Sequence, residues 1–196
     1  MSNPIKIEHQ YGSVIVTFNR PKIRNPLSIA VVDELTELIS RLESNVSSLI
    51  ITGTEDVFAS GADLREIARG VGNNAVEFAE RGQKLMVLIA NLSAITIAAV
   101  NGFCYGGALD LALACKVRIA SPKAEFCHPG ANLGIMTGWG GTQRLPRLVG
   151  EAKALEMFLI SKRIDSREAF KIGLIDQIAE DVLTAAINYF PSPRPI

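Results

Sequence analysis

The run Asn101-Gly-Phe-Cys-Tyr-Gly106-Gly107-Ala-Leu-Asp110-Leu-Ala-Leu113 decides how this chain is read. An apolar, strand-like segment (94–100) leads into it. Gly102 breaks the strand, Gly106 and Gly107 turn the chain, and the alternation that follows opens a helix. A strand, a glycine turn and a helix in succession leave backbone N–H groups unpaired at the helix start. These groups carry the positive end of the helix dipole and suit an anion or a developing oxyanion.

The same order occurs once before. A buried strand (48–52) precedes Phe58-Ala-Ser-Gly61-Ala62-Asp63-Leu64, which opens a helix just as Phe103-Cys-Tyr-Gly106-Gly107-Ala-Leu109 does. Repeated supersecondary units present equivalent loops on one face. On that reading the N–H groups of Ala62 and Gly107 converge as an oxyanion hole, in which each donor is worth about 2.7–4 kcal/mol in a transition state. The echo alone also fits two ordinary strand-to-helix turns that need glycine for positive φ.

Working outward, residues 5–9 and 13–18 read as a hairpin around Gly12, and 19–26, with two prolines, as a loop. Ser28 caps a helix reaching about residue 44, with Val31, Leu35, Leu38 and Leu42 on one face. A helix starts near Ala62-Asp63. A separate amphipathic helix spans 74–92, with Val76, Phe78, Leu85, Val87, Leu88 and Ile89 as core candidates. A strand at 117–120 and a glycine-rich loop at 129–141 precede helices at 141–149, 151–161 and 166–172, a strand at 174–178 and a helix at 181–189. Strands alternating with helices argue an α/β fold. We expect one domain over 1–190 and a proline-rich tail over 191–196 that cannot continue a helix.

Composition excludes several function classes. The chain has 196 residues, 48% hydrophobic and 20% charged, as a globular protein does. Twenty basic and twenty acidic residues leave no net charge, so no electrostatic footprint for nucleic acid or an anionic membrane is expected. Three cysteines without Cys-x-x-Cys spacing point to reduced, buried thiols. With no signal pattern and no membrane-length apolar run, a cytoplasmic protein is expected.

Other motifs fail on inspection. The Gly102 to Gly107 spacing matches a phosphate loop, but Ala108-Leu109 stand where Lys-Ser/Thr is required. No dinucleotide fingerprint follows a strand, and Ser60 lacks the flanking glycines of a nucleophile elbow. His9 and His128 are too far apart for a metal site, so none is expected. His9 reads as structural, and His128 as structural or solvent-facing, or else a pocket group. Asp63 and Asp110 both sit in helix first turns, where dipole pairing is worth roughly 0.3–1 kcal/mol. That explains Asp63. Asp110 lies in an otherwise apolar helix, where an unpaired carboxylate is costly, and it is the better functional candidate.

Six ordered segments now carry a resemblance: Asn19-Arg-Pro-Lys, Ile51-Thr-Gly, Phe58-Ala-Ser-Gly-Ala-Asp-Leu, Ala98-Ala-Val-Asn-Gly-Phe, Gly106-Gly-Ala-Leu-Asp-Leu-Ala and Gly140-Gly-Thr-Gln-Arg-Leu-Pro-Arg-Leu-Val-Gly. Over nearly its whole length the chain resembles the enoyl-CoA hydratase/isomerase (crotonase) family. The resemblance implies a spiral of repeated ββα units with surrounding helices, assembled as a trimer or a dimer of trimers. It implies hydration of a 2-enoyl-CoA, with Ala62 and Gly107 donating to the thioester carbonyl and stabilising an enolate. Ala62, Asp63, Leu64 and Arg65, with Gly107, His128 and Gly130, would line the acyl-CoA site. Coenzyme A would enter as part of the substrate, with no separate cofactor.

The family's hydratases use two glutamates, and this chain departs at both positions. The first matches Asp110, a carboxylate with about 1.5 Å less reach. The second matches Gly130, so that group is missing, and His128 is a candidate to replace it. A glutamate restored at 130 is expected to raise hydration. Decarboxylation, double-bond isomerisation, thioester hydrolysis, or a catalytically weak acyl-CoA-binding subunit are the alternatives. Family members usually continue with further helices over the acyl pocket, whereas this sequence ends at Ile196, implying a shortened form or a differently closed pocket.

Overall fold

The computed structural model describes residues 3–189, with the side chains of 70–73 outside the description. The expected tail at 191–196 lies outside the described residues.

Strand β1 (Ile5–Gln10) and strand β2 (Ser13–Phe18) form the expected antiparallel hairpin. Helix α1 (Ile29–Ser40) starts where Ser28 Oγ accepts the Val31 N–H at 3.4 Å, and it buries Val31 and Leu35 with Leu38 packed alongside. The core of the fold is then a unit repeated three times. Strand β3 (Ser48–Thr52) is followed by β4 (Val57–Ala59) and α2 (Leu64–Asn91). Strands β5 (Ile95–Val100) and β6 (Phe103–Tyr105) lead to α3 (Gly107–Ala114). Strands β7 (Val117–Ala120) and β8 (Glu125–Cys127) lead through a 3-10 turn (Pro129–Leu133) to α4 (Gly141–Val149).

In each unit the first strand joins one sheet and the second strand another. The larger sheet runs β1-β2-β3-β5-β7-β10, where β10 is Gln177–Ile178, and the smaller β4-β6-β8-β9, where β9 is Ile164–Asp165, with β3, β5 and β7 parallel, and likewise β4, β6 and β8. This is the expected spiral of ββα units. The chain closes with α5 (Glu151–Leu159), β9 (Ile164–Asp165), α6 (Ser166–Lys171), β10 (Gln177–Ile178) and α7 (Val182–Ile187).

Three readings of the sequence need correction. The two helices expected from about 62 and over 74–92 are one element, bent where Asn74 leaves helical geometry (φ −128°, ψ 24°). Val76 and Val87, expected in the core, are exposed, because the buried face runs through Gly82, Leu85, Met86 and Ile89. The strand expected over 174–178 is confined to two residues. Leu174 and Ile175 instead bury their side chains while their N–H groups donate to Ala169 O.

The two core strands read as buried are covered on both faces. Val16, Leu49, Ile51, Ala98 and Val100 face the main core, and Ile15, Ile50, Ile97 and Ala99 face a second cluster closed by α7. Continuous apolar runs are what a parallel sheet buried on both faces requires.

Candidate active site

The smaller sheet sets the site. Pairing of β4 with β6 brings the turn at 60–62 beside the turn at 105–107. Gly61 takes φ +87°, and a Cβ there would stand 2.6 Å from Tyr105 O and 2.7 Å from the Gly107 nitrogen. Only glycine permits that approach. Gly106 (φ +54°) donates its N–H to Cys127 O at 2.8 Å, tying the second turn to β8. The Ala62 nitrogen would lie 3.3 Å from a Cβ on Gly107, so the Ala62 and Gly107 N–H groups are neighbours. Among the described residues neither donates a hydrogen bond.

Beside these groups lies a cavity of about 130 Å³, lined by Ala62, Leu64, Gly107 and Gly130 of the nominated residues. Asp63, Arg65 and His128 are not in its lining. Asp63 instead caps α2: its Oδ1 accepts the Arg65 N–H at 2.9 Å, and its carboxylate takes the Arg65 guanidinium at 3.0 and 2.7 Å. The Arg65 guanidinium holds the Asp63 carboxyl below its ordinary range. A larger groove, about 700 Å³, lies between the first hairpin and α1, but it contains none of the nominated groups. Its lining mixes Glu34, Glu37, Arg41 and Glu43 with Ile7, Tyr11, Leu38 and Leu42.

Asp110 is fully buried, one turn into α3. Burial pushes its carboxyl up to about 7, with the Thr137 hydroxyl, the Trp139 backbone N–H and the Arg144 charge opposing. Thr137 donates its hydroxyl to Asp110 Oδ2, and Thr137, not Asp110, faces the cavity. Thr137 therefore connects the buried Asp110 carboxyl to the cavity.

His128, expected to be structural, solvent-facing or a pocket group, is only 3% exposed. Solvent-facing is thus wrong, because β8 carries the residue inward against Phe158, with ring centroids 4.8 Å apart. Burial lowers its pKa to about 4, so the imidazole is neutral. Asp110 Oδ1 and both His128 ring nitrogens have no hydrogen-bond partner among the described residues.

Gly130 is not an open slot awaiting a side chain. A Cβ there would stand 2.4 Å from Ile135 O, in the backbone of the following loop. That contact argues against the expectation that a glutamate restored here raises hydration.

Thr137, Trp139 and Phe78 were not nominated from sequence as site residues. All three line the cavity. The one available signal was Trp139, the chain's single tryptophan, set between Gly138 and Gly140. Among the described residues no group of three His, Cys, Asp or Glu side chains is placed to hold a metal ion. The three cysteines are buried and unpaired, and burial pushes the Cys115 thiol up to about 12.

A two-sheet spiral of ββα units with paired free N–H groups beside an apolar cavity defines a class of fold and a type of site. The enoyl-CoA hydratase/isomerase family model matches residues 8–189, and the chain belongs to that family. It is 41% identical to a probable enoyl-CoA hydratase of Bacillus subtilis, over 88% of this chain and 67% of that protein. It is 38% identical to a crotonyl-CoA hydratase of Syntrophomonas wolfei, over 90% and 69%. The crystal structure of an enoyl-CoA hydratase from Bacillus anthracis superposes with a TM-score of 0.90 at 32% identity, covering 94% of this chain and 74% of that one.

Proposed function

We propose that this chain is a hydratase-type enzyme that adds water across the double bond of a 2-enoyl-CoA. The observation that carries the reading is the neighbouring pair of free N–H groups, Ala62 and Gly107, at a cavity backed by a buried carboxyl. Both groups donate to the thioester oxygen, and the charge that develops there as the enolate forms is worth most in a site shielded from water. Asp110 accepts the proton of the incoming water as its oxygen bonds to C3. The same proton then goes to C2 as the enolate collapses, so one carboxyl serves as base and then acid. Thr137 holds that carboxyl in place just behind the cavity wall. A carboxyl titrating near 7 suits both roles.

Gly130 favours a second reading. A second carboxylate there would have to displace the loop at Ile135, so a reaction needing one acid/base group or none, such as decarboxylation, competes. The exposed apolar side chains of α5 and α6, Leu155, Leu159 and Phe170, support assembly into a homotrimer or hexamer. Unpaired buried thiols support a cytoplasmic protein, and on this reading coenzyme A enters only as part of the substrate.

Purified protein assayed with a 2-enoyl-CoA, a 3-enoyl-CoA and a malonyl-type CoA separates these readings. Hydration of the first is expected. Thioester binding without turnover of any would leave an acyl-CoA-binding subunit.

A further inference from the structure

Trp139 is the wall between two spaces. On one side is the cavity of about 130 Å³ at Ala62 and Gly107; on the other, a space of about 230 Å³ lined by Gln83, Val87, Gln143, Arg144 and Arg147. The indole is clamped. A Cβ on Gly107 would stand 2.6 Å from ring atoms Cε3 and Cζ3, and one on Gly82 would stand 2.1 Å from Nε1. Phe78 packs on it with centroids 5.4 Å apart, and Nε1 donates to Phe78 O at 3.4 Å. Held between α2 and α3 and only 3% exposed, the ring cannot swing aside without moving a helix.

Resting on the acyl-CoA reading above, we propose that Trp139 sets the acyl-chain length this site accepts. The cavity in front of it is well below the roughly 300–1,000 Å³ of sites for drug-sized ligands, so it takes a short, crotonyl-sized acyl group. A longer chain runs into the indole. Shortening this one side chain joins the two spaces and gives a longer acyl tail somewhere to go. Glycine at 82 and 107 is what lets so large a residue stand there.

The test compares binding of butyryl-CoA and octanoyl-CoA by calorimetry in the whole protein, Trp139→Ala and Trp139→Phe, alongside hydration of crotonyl-CoA and 2-octenoyl-CoA. A methylene in or out of an apolar pocket is worth about 10–200-fold. The unmodified protein should therefore favour the short ester by at least about 10²-fold. Trp139→Ala should narrow that ratio by about 10-fold or more, and Trp139→Phe by less. An unmodified protein that binds both esters alike overturns the proposal, whether or not the variants fold. So does an unchanged ratio in folded variants. Binding without hydration of either enoyl ester would sink the hydratase reading and leave the length gate standing. Failure to bind any ester overturns both.

Discussion

Asp110 Oδ1 and His128 Nε2 stand 3.7 Å apart in the interior, too far for a hydrogen bond, and among the described residues neither atom has a hydrogen-bond partner. Burial shifts the two groups in opposite directions, the carboxyl up from 3.8 to about 7 and the imidazole down from 6.5 to about 4. Both are neutral in the fold at mildly acidic pH, whereas in the unfolded chain both are charged. Each state of the pair then holds one proton.

The first prediction is a stability that the pair leaves flat between about pH 4 and 6.5. The Asp110 contribution is present below about 4 and is lost as pH rises toward 7. The His128 contribution is present above 6.5 and is lost as pH falls toward 4. Asp110→Asn should expose the histidine slope, with stability falling on acidification by up to about 1.4 kcal/mol per pH unit. His128→Gln should show the opposite slope. Urea unfolding at several pH values reads both, and parallel slopes in the two variants would refute the assignment.

The second prediction concerns turnover under the proposed hydratase reading. If Asp110 takes the water proton, it must be ionised in the free enzyme, so kcat/KM should rise with pH through an apparent pKa near 7. Asp110→Asn should remove that limb and cost about 10²–10⁴-fold. A stopped assay with crotonyl-CoA over pH 5.5–8.5 measures both. An unchanged rate in the variant would mean that the base lies elsewhere, with His128 next.

How much of this was legible in the sequence depends on how far each residue acts through its neighbours in the chain. The echo of Phe58–Leu64 in Phe103–Leu109 disclosed the repeat, because glycine turns and helix starts are local. Asp110 stood out as a carboxylate in an apolar helix. Strand β8 was missed because three residues carry no periodicity. The single helix α2 was read as two because its bend at Asn74 falls where apolar spacing lapses. Thr137 and Trp139 lay in a stretch read as loop, and their importance comes from contacts with α3 and α2 that no spacing encodes. The packing of Ile135 O on Gly130 is likewise a tertiary fact, and it argues against the gain expected from a glutamate there.

The effect of that contact is testable. Gly130→Glu should not gain activity. Its Cβ would meet Ile135 O at 2.4 Å, and overpacking of this kind typically costs about 1–3 kcal/mol. Gly130→Ala should show most of the same loss in thermal unfolding, because the clash begins at Cβ. A glutamate variant that is as stable as the parent and hydrates faster would show that the loop yields.

Thr137 gives the most discriminating variant, since its hydroxyl can be removed at nearly constant shape. Thr137→Val takes away the hydroxyl that donates to Asp110 Oδ2. A buried carboxyl deprived of a donor is harder to ionise, so the ascending limb of kcat/KM should move to higher pH than in the parent. Leaving a buried acceptor unsatisfied also costs about 1–3 kcal/mol of stability, more at alkaline pH where the carboxyl must carry charge. Thr137→Ser keeps the donor and should restore the position of the limb, though it loses a methyl contact with the cavity. A purely structural threonine would lower stability in the valine variant and leave the pH profile where it was. The profile, measured with crotonyl-CoA for parent, valine and serine forms, therefore decides whether Thr137 acts through Asp110.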